Sequence, residues 1–298
     1  MIAFGDSTVV HEDPSRGIRI VAHREFSDAF LAQLERTTFG TTGLRYRRLG
    51  VREQLERLPP GAFLELHLNE TLVGTYALAS SQLHGAPPET TGLYRGLLSV
   101  RPDARGSGFG RLLVTRTFDW IGSLSSSSGR PVYSWGCIER DNTRSLELLQ
   151  SIGATQAGTL ETLSAYVHLP RDRAPVDVLD ESADAAVDAA LTAATSDCGL
   201  RTAAPGGGRY FAVRDGDRID AGARVTLTRV DMATTGSAWD LAHRYLLRFV
   251  PPARRRFDPH NFTYLRLTDI VIREGEEGLW KDFLATMLAE HGAYMAMF

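Results

Sequence analysis

Arg105-Gly106-Ser107-Gly108-Phe109-Gly110 carries the clearest chemistry in this chain of 298 residues. The stretch follows an apolar run ending Gly96-Leu97-Leu98-Ser99-Val100 and precedes a helical pattern from Arg111. Glycines let a backbone turn tightly and approach a ligand with no Cβ in the way. A loop that opens straight into a helix aims unpaired N–H groups and a positive dipole end at one point. Arg105 adds a fixed positive charge, so the stretch reads as a phosphate cradle. It is not a Walker loop, because Gly110 is followed by Arg111-Leu112 rather than Lys and Ser or Thr. Nor is it a dinucleotide fingerprint, since the glycine spacing is wrong and the expected strand-borne acid does not follow. Candidate proton acceptors are Glu65 and His67, two apart and therefore on one face of a strand, and Glu139 just before Asn142. Tyr133 and Cys137 are the nearest candidate acids, although core packing explains each of them as well.

Arg-x-x-Gly-x-Gly resembles the acyl-CoA-binding loop of the GCN5-related N-acetyltransferases, the GNAT superfamily. A second stretch, Asn142-Thr-Arg-Ser145-Leu-Glu-Leu148-Leu149-Gln-Ser-Ile152-Gly153-Ala154, resembles the family's later motif in spacing from end to end. Asn142 suits a helix N-cap and Gly153 the position just past its end. The resemblance implies that backbone groups of Leu98, Ser99 and Val100 pair with pantetheine and polarise the thioester. It implies that Arg105, Gly106, Ser107, Gly108, Phe109, Gly110 and Arg111 hold the pyrophosphate. Asn142 and Ser145 would line the pantetheine arm. The family's usual tyrosine, which protonates the leaving thiolate, falls at Leu149, and its closing Phe at Ala154. The implied activity is acyl transfer, chiefly of acetyl from acetyl-CoA, to a small-molecule amine by direct attack in a ternary complex. The missing tyrosine motivates one alternative, a non-catalytic acyl-CoA-binding or assembly protein; transfer to a protein amine or a hydroxyl stands as a further alternative. No metal is called for, and the assembly expected is at most a homodimer.

The elements that must position these residues form an α/β fold, the mixed-sheet GNAT sandwich. Residues 1–17 read as a loose arm, Ile18–Ala22 as a strand, and Glu25 to about Leu58 as helical. Residues 62–68 and 73–79 read as a hairpin about Asn69-Glu70, and 83–92 as a loop. Next come a strand at 92–100, the glycine loop, a helix, a serine-rich loop at 125–129 and a strand at 131–138. The Asn142 helix follows, and a last strand at 156–169. The domain reading is an arm (1–17), a catalytic GNAT domain (18–170), a linker (171–175) and a degenerate GNAT-like domain (176–298), making two tandem domains. In the second, strand 264–272 and helix 278–290 repeat the motif strand and helix. The loop between them, Arg273-Glu-Gly-Glu-Glu-Gly278, puts three acids where phosphate would sit. The second copy reads as truncated, with nothing like the Asn142 motif after it.

Composition bounds the rest. Hydrophobic content of 43% suits two globular cores. A formal charge of −3 gives no general attraction to nucleic acid. Lys281 is the single lysine, which points to codon bias in a GC-rich bacterium and makes Arg254-Arg255-Arg256 a solvated run. No apolar stretch is long enough for a membrane span, and the N-terminus lacks the pattern of a secretory signal. Cys137 and Cys198 lack metal-ligand spacing and read as reduced thiols in a cytoplasmic protein.

Overall fold

The computed structural model describes residues 5–40, 45–81, 83–84, 86–87, 89–159, 163–165, 177–179, 184–194, 201–202, 208–216, 218–233, 258, 260–293 and 295–298. They fall into two compact units, 1–158 and 159–298. The expected linker 171–175, the Arg254–Arg256 run and Cys198 lie outside the described residues.

Six strands of the first unit form one sheet in chain order: β1 (Ser7–Asp13), β2 (Ile18–His23), β3 (Gly61–Leu68), β4 (Thr71–Ser81), β5 (Thr91–Val100) and β6 (Val132–Trp135). All neighbours are antiparallel except the parallel pair β5 and β6. The loose arm expected at 1–17 is corrected here. Gly17, at φ 63°, closes a short turn over Pro14–Arg16 and folds Ser7–Asp13 back along β2. Its alternating exposure is that of an edge strand, a pattern blurred in the sequence by a bulge between Val9 and His11. The β3–β4 turn is as expected. Asn69 and Glu70 both take positive φ, 47° and 65°, as a two-residue turn matched to strand twist requires.

The helical region expected at 25–58 is instead two helices, α1 (Asp28–Arg36) and α2 (Val51–Glu56). Between them Thr38–Phe39 pairs with Arg45–Leu49. Thr37-Thr38-Phe39 favours extended backbone, and Gly40 and Gly50 adopt φ of 89° and 65° that end helical geometry. Both helices pack on one sheet face through Phe30, Leu34, Val51, Leu55, Phe63 and Ala77. The other face buries Leu64, Leu66, Leu78 and Leu93 against Leu113, Val114 and Ile121 of α3 (Phe109–Ser128).

The serine run is helix rather than loop. Ser123 and Ser126 donate to the carbonyls of Asp119 and Gly122, both at 3.0 Å, so each hydroxyl bonds one turn back, and Gly129 ends α3 at φ 64°. Helix α4 (Thr143–Ser151) begins as expected, with Asn142 Oδ1 accepting from Ser145 N at 3.2 Å. At its end, Gly153 N donates to Gln150 O and Ala154 N to Leu149 O, a Schellman closure.

The second unit runs β7 (Ser164–Ala165), β8 (Asp177–Leu179), α5 (Asp184–Ala194), β9 (Arg209–Asp215), β10 (Arg218–Ala233), β11 (Phe262–Ile272), α6 (Glu277–Glu290) and β12 (Met295–Met297). Its sheet order is β7-β12-β11-β10-β9-β8, with β11 and β12 parallel. Of the strand expected at 156–169, residues 156–159 and 163 are not strand, 160–162 and 166–169 lie outside the described residues, and Ser164–Ala165 pairs antiparallel with β12 rather than joining the first sheet. Both sheets share one irregularity. Ser99 pairs with Thr75 and Gly96 with Ala77, leaving Leu97 and Leu98 opposite Tyr76, with Leu97 at φ 58°. Likewise Val271 pairs with Gly222 and Thr268 with Arg224, leaving Asp269 and Ile270 opposite Ala223, with Asp269 at φ 51°.

Candidate active site

The parallel ladder between β5 and β6 is short, from Thr91 opposite Val132 to Tyr94 opposite Trp135. One residue on, a Cβ at Gly136 would meet Arg95 O at 2.7 Å, so only glycine lets the chain leave β6 this close to β5. From Arg95 to Val100 that edge of β5 continues without a strand partner among the described residues. Leu98, the second residue of the bulge, and Ser99 and Val100 just beyond it lie on this edge.

At the end of this edge the chain makes a short turn, Pro102–Ala104, and enters the glycine loop. Gly106 and Gly108 adopt φ of 85° and 80°, conformations that favour glycine, and a Cβ at either would point into open space. Helix α3 starts at Phe109, two residues before the expected Arg111, with Gly108 as its N-cap. Leu112 N donates to Gly108 O at 2.9 Å as the first helical bond, so the N–H groups of Phe109, Gly110 and Arg111 precede the ladder. Arg105 Nε donates to Val100 O at 3.1 Å and pins the loop to β5. Arg111 Nη2 donates to Ser151 Oγ at 2.9 Å and ties the start of α3 to the end of α4. Asn142 spends its Oδ1 on its own helix, and Ser145 is half-buried one turn on. Leu149 packs against the core of this face.

The candidate proton carriers are separated. Glu139 is exposed in the turn where its carbonyl accepts from Asn142 N. Tyr133 sits half-buried on β6 opposite Gly92, and Cys137 is exposed beyond it. Glu65 is on the α1 face, 4% exposed, with Oε1 accepting from Ser27 Oγ at 2.5 Å and Oε2 facing His67 Nε2 at 3.0 Å. Burial pushes the Glu65 carboxyl up, but the hydrogen bonds from His67 and Ser27, with nearby His23, hold it below its ordinary range. His67 is held above its ordinary value by its bond to Glu65, against a smaller opposing effect of burial.

Thr75, Thr37, Gln33 and Arg95 are not signalled by the motifs. Glu65, Thr75 and Ser99 occupy one row across three strands. Ser99 Oγ meets Thr37 Oγ1 at 2.7 Å, and its carbonyl accepts from Gln33 Nε2 at 3.2 Å. Thr75 Oγ1 is buried with no partner. These contacts join residues more than sixty positions apart, and no local pattern signals them. Arg95 could have been noticed as a charge inside the apolar run 92–98. Among the described residues there is no group of three or more His, Cys, Asp or Glu able to hold a metal, and no helix is long and apolar enough to cross a membrane.

No family model matches the chain, and no curated protein matches it either. Solved structures similar to it include an aminoglycoside acetyltransferase from an uncultured soil metagenomic sample in complex with sisomicin. That protein is 15% identical over 50% of this chain and 95% of its own, with a TM-score of 0.35. AAC(6')-Iy in complex with the bisubstrate analogue CoA-S-monomethyl-acetylneamine is 14% identical over 37% of this chain and 71% of its own, with a TM-score of 0.29. A GCN5-related N-acetyltransferase from Kribbella flavida is 12% identical over 95% of this chain and 64% of its own, with a TM-score of 0.48.

Proposed function

We propose that the first unit is an acyl-CoA-dependent N-acyltransferase of the GNAT type. One juxtaposition carries this reading: the open edge of β5 beyond its bulge leads directly into a glycine loop and an uncapped helix N-terminus. The free edge offers backbone groups to an extended pantetheine arm, and the helix start offers N–H donors to its phosphates. An amine then attacks the thioester carbon. The C–N bond forms, the C–S bond breaks, and coenzyme A leaves as its thiolate. A thiol of pKa near that of cysteine leaves tolerably without an acid, which accommodates Leu149 where the family has tyrosine. The amine must first lose a proton. We assign that proton to His67 in its neutral form, with Glu65 as its positioning residue. Acetyl is the simplest acyl group and a small molecule the simplest acceptor. The second unit repeats the strand order and the bulge, and we read it as a degenerate tandem copy.

Gly108→Asp tests the loop. Asp tolerates the left-handed conformation better than most residues, so the fold should survive while a carboxylate enters the cradle. Calorimetric titration should show coenzyme A affinity falling at least about tenfold, with the thermal midpoint little changed. Undiminished affinity in that variant would remove the loop from the reading. Binding with no turnover on any amine tried would favour the acyl-CoA-binding, non-catalytic alternative that Leu149 motivates.

A further inference from the structure

The first unit buries a cation for which no ion pair is found among the described residues. Arg95 on β5 is 8% exposed. Its guanidinium lies 4.6 Å over the ring of Phe118 on α3, and both Nε and Nη1 are buried without a hydrogen-bond partner. The Tyr76 hydroxyl is hydrogen-bonded to Arg95; burial pushes its pKa above the ordinary value and Arg95 pulls it part of the way back, so this partner is neutral. The one buried acid among the described residues of this unit is Glu65, on the opposite face and engaged by Ser27 and His67. Stacking on Phe118 offsets part of the cost of desolvating a guanidinium, and an opposing charge would offset more.

A second orphan lies beside it. Ser134 Oγ is also buried without a partner. Ser134 pairs with Leu93, whose side chain packs on the α3 side, and Arg95 is the next residue of β5 on that face. Both stand where the β5–β6 ladder ends, three residues of strand, or about 10 Å, short of Leu98.

We propose that Arg95 and Ser134 receive the free carboxylate of the acyl group, so that the donor is the coenzyme A thioester of a short dicarboxylic acid, such as succinyl-CoA. This rests on the acyl-CoA reading of the first unit and puts a longer, carboxylate-bearing acyl group in place of acetyl. The carboxylate would accept from one of the unpartnered positions of the guanidinium, Nε or Nη1, and the serine hydroxyl donates a second bond. A four-carbon acyl chain and an arginine side chain together span the strand distance. The carboxylate takes no part in transfer: the product is an amide bearing the free acid, together with coenzyme A.

The test is equilibrium binding of the full chain to coenzyme A, butyryl-CoA and succinyl-CoA, the last two matched in length. Succinyl-CoA should bind about 10- to 100-fold tighter than butyryl-CoA, the range of a desolvated charge-assisted pair. Arg95→Met, which keeps the stem against Phe118, should bring that ratio to near one. If that variant does not fold, Ser134→Ala should lower the ratio several-fold. A ratio near one in the unmodified protein, or one surviving these substitutions, overturns the proposal while leaving coenzyme A binding intact. Failure of all three ligands to bind overturns the acyl-CoA reading, and the carboxylate site with it.

Discussion

Glu65 and His67 show how much one hydrogen bond decides. The i, i+2 spacing put both on one strand face, and the sequence carried that much; the 4% exposure and the bond from Ser27, 38 positions away, are tertiary facts. A carboxyl held below its ordinary value of about 4.3 stabilises the fold above that pH and loses the contribution as pH falls through the folded value. A histidine held above about 6.5 stabilises below that pH and loses the contribution as pH rises through its folded value. The pair is therefore worth most between about pH 4.5 and 6.5. Glu65→Gln should cost about 1–3 kcal/mol by denaturant titration near pH 6, and clearly less at pH 8.5. Were the loss independent of pH, the charge pairing would be wrong. In catalysis the same substitution should move the rising limb of kcat/KM to lower pH, because His67 would then release its proton more readily. A limb that stays put would exclude His67 as the proton acceptor.

Periodicity located the β3–β4 hairpin, α3, α4, β11 and α6, where apolar spacing and turn residues agree. It failed where backbone breaks outweigh pattern. The helical spacing across 25–58 concealed Gly40 and Gly50 in left-handed geometry, and the serines of α3 lack the apolar signal that marks a helix. The open edge of β5 was implied only by resemblance, since a bulge and a short parallel ladder leave no trace in composition. Gly136 is its hinge. A methyl there would meet Arg95 O at 2.7 Å, and that oxygen is backbone, so strands must move. Gly136→Ala should destabilise by about 1–3 kcal/mol in urea unfolding. Gly122→Ala, in mid-helix with open space at its Cβ, should stabilise by about 0.5–1 kcal/mol. Equal effects at the two glycines would show that the close approach is not real.

For the chain as a whole, five strands follow one order in each unit, and each carries a bulge in which Leu97 and Asp269 have nothing in common but their backbone angle. The units differ at the helix start. In place of a glycine cradle, α6 opens with Glu274, Glu276 and Glu277, whose carboxylates complement the dipole themselves and repel phosphate. Calorimetry should therefore give one coenzyme A per chain. A stoichiometry of two would mean that acids in the second loop do not exclude the ligand. The pairing of Ser164–Ala165 with Met295–Met297 bears on how the chain is made. The described strands of the first sheet lie in residues 7–135, so that sheet can close while the rest is still being synthesised. The second sheet cannot place its early edge strand until residues 295–297 have left the ribosome, and closing so long a loop is slow. On the ribosome the first unit should be protease-resistant well before the second, and Leu163, exposed in the finished fold, should be cleavable until the last strand docks.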